Sequence, residues 1–183
     1  LSTDQIDVEN GSRYGIRYFD ESNTPHHPII LHNSPSGAIE RVVYALLEKA
    51  ALDQKEGRKA QLPLWLAPIQ VRIIPLKDEF LSHCENLADR LSSQEIRVDI
   101  DDRNETLGKR IRESETEWIR YTLVIGEKEV SKLNLSVRDR KTGESKELSF
   151  DDFVNEIKNQ TKDKPFTKLN LARLVSKRPQ IMV

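Results

Sequence analysis

Gly37 and Arg41 stand at the start of an apolar-periodic stretch, where their types can do chemistry. A glycine there lets a ligand approach a helix start closely, and the arginine supplies a fixed cation, a combination suited to phosphate. The same arginine can also pair on the surface with Glu40 or Glu48. His32 precedes Arg41 by nine residues and offers one imidazole to a metal. A metal site needs further ligands. His26 and His27 are adjacent, precede Pro28 and read as loop, and Cys84 falls on an apolar helical face, so neither source completes a set. Gln5 lies in an alternating run in which a polar side chain facing solvent is the plain reading. Asn104 precedes a helical stretch as its expected N-cap, with Glu105 favouring the helix dipole. Cations gather in three places: Lys109, Arg110 and Arg112; Arg138, Arg140 and Lys141; and six residues between Lys162 and Arg178. Any one cluster reads as a solvated face, but three flanking one domain favour a binding surface.

These residues need elements to hold them. Residues 1–33 read as short antiparallel strands: Ile6 and Val8 alternate with Asp7 and Glu9, Asn10-Gly11 marks a tight turn, Tyr14 to Phe19 forms a second run and Pro28 to His32 a third. So few strands make a marginal unit, and the sheet is expected to lack partners. Ile39, Val42, Val43, Leu46, Leu47 and Ala50 predict an amphipathic helix over about 38–52, capped by Ser36. Residues 53–61 are polar around Gly57 and read as a linker. Beyond it, strands are expected at 69–74, 96–100 and 121–125, alternating with helices through Phe80–Leu91 and Leu107–Trp118. A hairpin follows, with strands at 133–137 and 147–150, and then a helix after Asp151 or Asp152. That order implies a parallel sheet covered by helices and closed by antiparallel strands.

Net charge is −1, which weighs mildly against a nucleic-acid partner, and the local basic clusters partly offset it. The run 62–76 is broken by prolines and polar residues, so no membrane span is expected. Residues 1–12 carry no signal-peptide pattern, and a single cysteine favours a reducing compartment, hence the cytoplasm.

The runs Leu-Pro-Leu-Trp-Leu-Ala-Pro-Ile-Gln-Val (62–71), Asp-Arg-Asn-Glu-Thr-Leu-Gly-Lys-Arg-Ile-Arg-Glu (102–113), Val-Ile-Gly-Glu-Lys-Glu-Val (124–130) and Val137-Arg138 resemble, in order and spacing, the anticodon-binding domain of class II aminoacyl-tRNA synthetases. Within that class the chain is most similar to the threonyl enzymes, in an archaeal-like form. Ser36 to Arg41 resembles motif 3, which ends the catalytic domain. The resemblance implies a mixed-sheet, three-layer α/β anticodon-binding domain at 62–183 with a basic tail, preceded by a fragment of an antiparallel catalytic sheet at 1–52 and a linker at 53–61.

It also implies roles. Arg41 would lie against the ATP phosphates, with Gly37 allowing close approach. Gln5 would bind substrate threonine, and His32 would be one zinc ligand whose partners lie outside this chain. Asn104, Glu129 and Arg138, with Lys109 and Arg112, would contact tRNA. ATP, magnesium, zinc, threonine and threonine tRNA belong to the full-length ligase, which is expected to be a homodimer. Motifs 1 and 2 are not in these residues, so the chain is expected to bind tRNA weakly, to hold no stable zinc and not to aminoacylate alone. Trp118 and Arg120 depart from the bacterial pattern, which has arginine and proline there. Trp118 continues the Leu107–Ile111 face and is expected in the core, with stacking on an unpaired base as the other reading. The alternative for the whole chain is a non-catalytic accessory module with the same fold.

Overall fold

The computed structural model describes residues 3–35, 37–131 and 134–179. The chain divides into two compact units, up to Leu52 and from Asp53 onward.

In the first unit β1 (Thr3–Asp7) pairs antiparallel with β4 (Ile30–Ser34). Between them lie α1 (Asn10–Arg13) and a small ribbon of β2 (Tyr18–Phe19) with β3 (Pro25–His26). The expected turn at Asn10-Gly11 is instead the single turn of α1: the Asp7 carboxylate accepts from the backbone N–H groups of Glu9 and Asn10, so the chain coils at once. The expected second strand shrinks to Tyr18–Phe19, because Tyr14 and Gly15 bond back into α1. A two-stranded ribbon has no covered face, and Ile6 and Leu31, cross-strand partners, are 71% and 75% exposed. Then comes α2 (Ile39–Lys55), which ends three residues later than expected, so 53–55 are helix rather than linker. Its start is closed by the Ala38 carbonyl, which accepts from Arg41 and Val42; the expected cap Ser36 lies outside the described residues.

The second unit is built on β5 (Val71–Pro75), β6 (Val98–Ile100), β7 (Tyr121–Ile125), β8 (Asn134–Asp139) and β9 (Ser145–Ser149) in the order β6-β5-β7-β8-β9. The first three are parallel and the last two antiparallel, which makes a mixed sheet. Crossovers are made by α3 (Leu81–Ser93) and α4 (Leu107–Thr116). A short α5 (Glu127–Ser131), which the sequence pattern did not suggest, follows β7, and α6 (Phe150–Thr161) follows β9. The expected strand residue Leu133 lies outside the described residues. The cap of α6 is Ser149 rather than Asp151 or Asp152: its hydroxyl accepts from the Asp152 amide at 3.1 Å.

Side chains alternate across the strands, and so do the chemistries. Val71, Ile73, Tyr121, Leu123, Leu135 and Val137 form one core with Cys84, Leu87 and Leu91 of α3 and Phe153, Val154 and Ile157 of α6. Burial pushes the Cys84 thiol up to about 12, so it packs as an apolar group. Tyr121 keeps its hydroxyl satisfied at the edge of that core, donating to Glu156 at 2.8 Å and accepting from Gln160 at 2.7 Å. The other face carries Asp99, Arg72, Thr122 and Arg138 in register across four strands, and α4 covers it. Residues after α6 run back along β6. Ile100 bridges Leu174 in parallel and donates to the Arg173 carbonyl at 2.9 Å, so the edge strand is covered.

Candidate nucleic-acid interface

Arg72 is fully buried on the interior strand β5. Its guanidinium is bidentate to Asp99, at 3.0 and 2.8 Å, and reaches Glu117 at 2.7 Å. Arg178 meets the same Asp99 carboxylate at 2.8 Å. These carboxylates outweigh desolvation and hold the Arg72 guanidinium charged, well above its ordinary range. One strand over, Thr122 bonds Ser114 of α4 at 2.9 Å, and then Arg138 meets Glu115 at 2.8 Å. The last turn of α4 and the residue after it therefore meet this row on β5, β7 and β8, one strand at a time, while Asp99 on β6 is met by Arg72 and Arg178. The Arg138 hydrogen bond holds the Glu115 carboxyl below its ordinary value.

The basic clusters do not form three free surfaces. Arg110 is buried and donates to the carbonyls of Pro75 and Asp101, at 2.9 and 3.1 Å, so it ties α4 to the strand ends. Arg140 donates to the carbonyls of Glu115 and Ala60. Arg173 pairs with Asp89 at 2.6 Å, and Arg178 is the Asp99 partner already described. Spacing cannot distinguish an arginine that ties two segments together from one that faces solvent.

Asn104 is not the cap of α4. Thr106 takes that place, its hydroxyl accepting from the Lys109 amide at 3.3 Å, and the helix begins at Leu107. Asn104 stays exposed in the loop beyond the carboxyl end of β6. Lys109 pairs with Glu105 at 2.6 Å, while Arg112 is exposed with no carboxylate partner among the described residues. Glu129 lies beyond the carboxyl end of β7 and accepts from the Gly126 amide at 3.1 Å, holding the first turn of α5. A side chain at Gly126 would press on the Leu76 side chain, which would have to shift. Loops outside the carboxyl ends of parallel strands are the usual ligand side of such sheets. Asn104 and Glu129 share that end. Arg138 does not: it pairs with Thr122, three residues before the end of β7, or about 10 Å back along the strand.

Trp118 is not core. The chain leaves α4 through bonds from the Trp118 amide to Glu115 and from the Ile119 amide to Ser114. That closure puts Trp118 in the left-handed region, φ +59°, where glycine is usual. The helical face ends there, Ile119 turns inward and Trp118 is left half-buried. Arg120, the other departure, pairs with Asp139 at 2.9 Å and Gln61 at 2.8 Å.

In the first unit Gln5 and His32 are cross-strand partners, so the ribbon presents both on one face. Gly37 has φ +73°, and a Cβ there would lie 3.1 Å from Arg41 Nη1, so the arginine folds back over the glycine. No three His, Cys, Asp or Glu side chains gather as a metal site among the described residues. His32 would be one ligand and no more. No described helix is long and apolar enough to cross a membrane.

Residues 70–160 match the family model for the anticodon-binding domain. The whole chain is 69% identical to threonine–tRNA ligase of Nitrosopumilus maritimus and 58% identical to that of Cenarchaeum symbiosum, covering 30% of each. It is 49% identical to the Pyrococcus horikoshii enzyme over 98% of this chain and 29% of that protein. The chain thus spans about 30% of the length of these relatives. A crystal structure of the RNA-binding domain of threonyl-tRNA synthetase from Cryptosporidium parvum superposes with a TM-score of 0.58 at 25% identity, covering 87% of this chain and 38% of that one. The mixed sheet, its order of elements and these matches agree: the chain carries an anticodon-binding domain and is similar along its whole length to one part of threonine–tRNA ligases.

Proposed function

We propose that this chain is the tRNA-reading part of a threonine–tRNA ligase, and that its second unit recognises the anticodon through Asn104, Glu129 and Arg138, supported by Lys109 and Arg112. The observation that carries this is Asn104. It is an exposed amide beside a helix start, relieved of capping by Thr106, with no hydrogen bond to another described residue. An amide can donate to and accept from a base edge at once. Glu129 would accept from a base amino or imino group, and Arg138 would grip a base edge or stack on it. Because Arg138 is already paired with Glu115, RNA would have to share or displace that carboxylate.

We place the first unit at the end of the catalytic domain of the longer protein. Arg41 would hold ATP phosphates over Gly37, and Gln5 would bind threonine beside His32. His32 would be one zinc ligand, with the others coming from residues outside this chain. Zinc would select threonine through its amino and hydroxyl groups, and magnesium would accompany ATP. The complete ligase would attach threonine to its tRNA in the cytoplasm as a homodimer.

The test is binding of the chain to threonine tRNA and to the same tRNA with a swapped anticodon, at fixed moderate salt. Binding is expected to fall on swapping, and Arg138→Ala and Asn104→Ala are expected to reproduce the fall on the native tRNA. Equal binding to both tRNAs would overturn the anticodon reading and favour an accessory module.

A further inference from the structure

We propose that Trp118 is a stacking platform for an unpaired base of a bound RNA strand, with Lys59 and Arg112 holding the adjoining phosphates. This rests on the tRNA-binding reading and extends it from Arg112 and the Arg138–Glu115 pair to the adjoining end of α4.

The backbone carries the first argument. A tryptophan occupies the left-handed position that closes α4, where its Cβ is strained and glycine or asparagine would rest easily. The strain is not offset by full burial, since Trp118 is only partly buried. A bulky residue held in a costly conformation without entering the core points to a task at the surface.

The surroundings carry the second. Trp118 lines a shallow cavity of about 440 Å³ together with Arg58, Lys59, Arg112, Glu115 and Arg140. The charges there are unevenly matched. Arg58 is paired with Asp53 and Glu56. Glu115 is engaged by Arg138 at 2.8 Å. Arg140 donates to two main-chain carbonyls, which leave its charge in place. Arg112 has no carboxylate partner among the described residues. The cavity is therefore a cationic rim around an aromatic face, the combination that binds single-stranded nucleic acid. An acidic peptide would use the cations and leave the ring idle.

The substitution Trp118→Asn removes the ring and suits the left-handed backbone, so the fold is expected to persist, with thermal unfolding as the control. On threonine tRNA it is expected to weaken binding about tenfold while leaving the salt dependence unchanged. Lys59→Gln and Arg112→Gln are each expected to weaken binding less and to flatten the slope of log K against log salt by about one. With Trp65→Phe, Trp118 is the single tryptophan left, and its fluorescence is expected to be quenched as tRNA is added. Binding by Trp118→Asn within about twofold of the parent chain, while Arg138→Ala still weakens it, would overturn the stacking site and leave the anticodon reading standing. Loss confined to the lysine and arginine variants would also overturn it, since phosphates would then be held without stacking. If the parent chain binds no RNA, both readings fall.

Discussion

On one face of the five-stranded sheet Val71, Ile73, Tyr121, Leu123 and Val137 meet α3 and α6 through apolar contact, with only the Tyr121 hydroxyl adding hydrogen bonds to α6; on the other, Arg72, Thr122 and Arg138 meet α4 or the residue after it through a hydrogen bond or ion pair, and Asp99 meets Arg72 and Arg178. Both faces bury their strand centres, yet they fail differently. Apolar packing loses stability by degrees as volume is removed. A buried ion pair is close to neutral while complete and costly once broken, because the remaining charge has no partner. The polar face also specifies position more sharply: a shift of α4 by one residue would move Ser114, Glu115 and Glu117 off their partners together.

The comparison breaks most severely at Asp99. Asp99→Ala takes the bidentate partner from Arg72, leaving it only the half-exposed Glu117, and takes the carboxylate from Arg178, and urea unfolding is expected to show a loss of about 3–5 kcal/mol. Replacing all three residues with Leu and Met of similar volume is expected to recover most of it. A benign single change would mean that the row is not what holds this face. On the apolar face, Leu123→Ala is expected to cost about 2–5 kcal/mol, by the same measurement and with no rescue by a charge change elsewhere. Ser114→Ala leaves the Thr122 hydroxyl buried without its partner and is expected to cost about 1–3 kcal/mol, whereas Ser114→Ala with Thr122→Val should cost less than their sum.

The smallest effect is at Glu115. Its folded carboxyl is depressed by Arg138, so the stability that it adds is present above its ordinary value of 4.5 and is lost as pH falls through the folded value. Being about a third exposed, the pair should contribute less than about 1 kcal/mol. Glu115→Gln should therefore shift the denaturation midpoint at pH 7 and match the parent at strongly acidic pH. A shift that stays constant with pH would assign the difference to packing instead.

Much of the second unit was legible because period-two and period-3.6 patterns report burial directly. The strand at 121–125 agrees to the residue, and Cys84, Leu87 and Leu91 face the core as their spacing requires. Cap and turn positions were less legible. Ser for Asp at the start of α6, Thr106 for Asn104 and the single turn at Asn10 each depend on which of several competent side chains reaches the amide. In the candidate site, the cross-strand partnership of Gln5 and His32 and the fold of Arg41 over Gly37 bring expected residues together. The pairing of Arg138 with Glu115, and its distance along the strand from the end that carries Asn104 and Glu129, had no counterpart in spacing.

The sequence by itself determined the order of strands and helices, the apolar face of the sheet and the family resemblance, because these follow from local periodicity and from runs of residues read along the chain. Tertiary structure alone decided which charges are spent inside the molecule. Arg72, Arg110, Arg140 and Arg178 find partners across loops and strands far apart in sequence, while Trp118 is kept only partly buried by the closure of one helix. A charged side chain looks the same in a sequence whether it meets water, a carbonyl or a carboxylate, and only the folded geometry fixes which of these it meets.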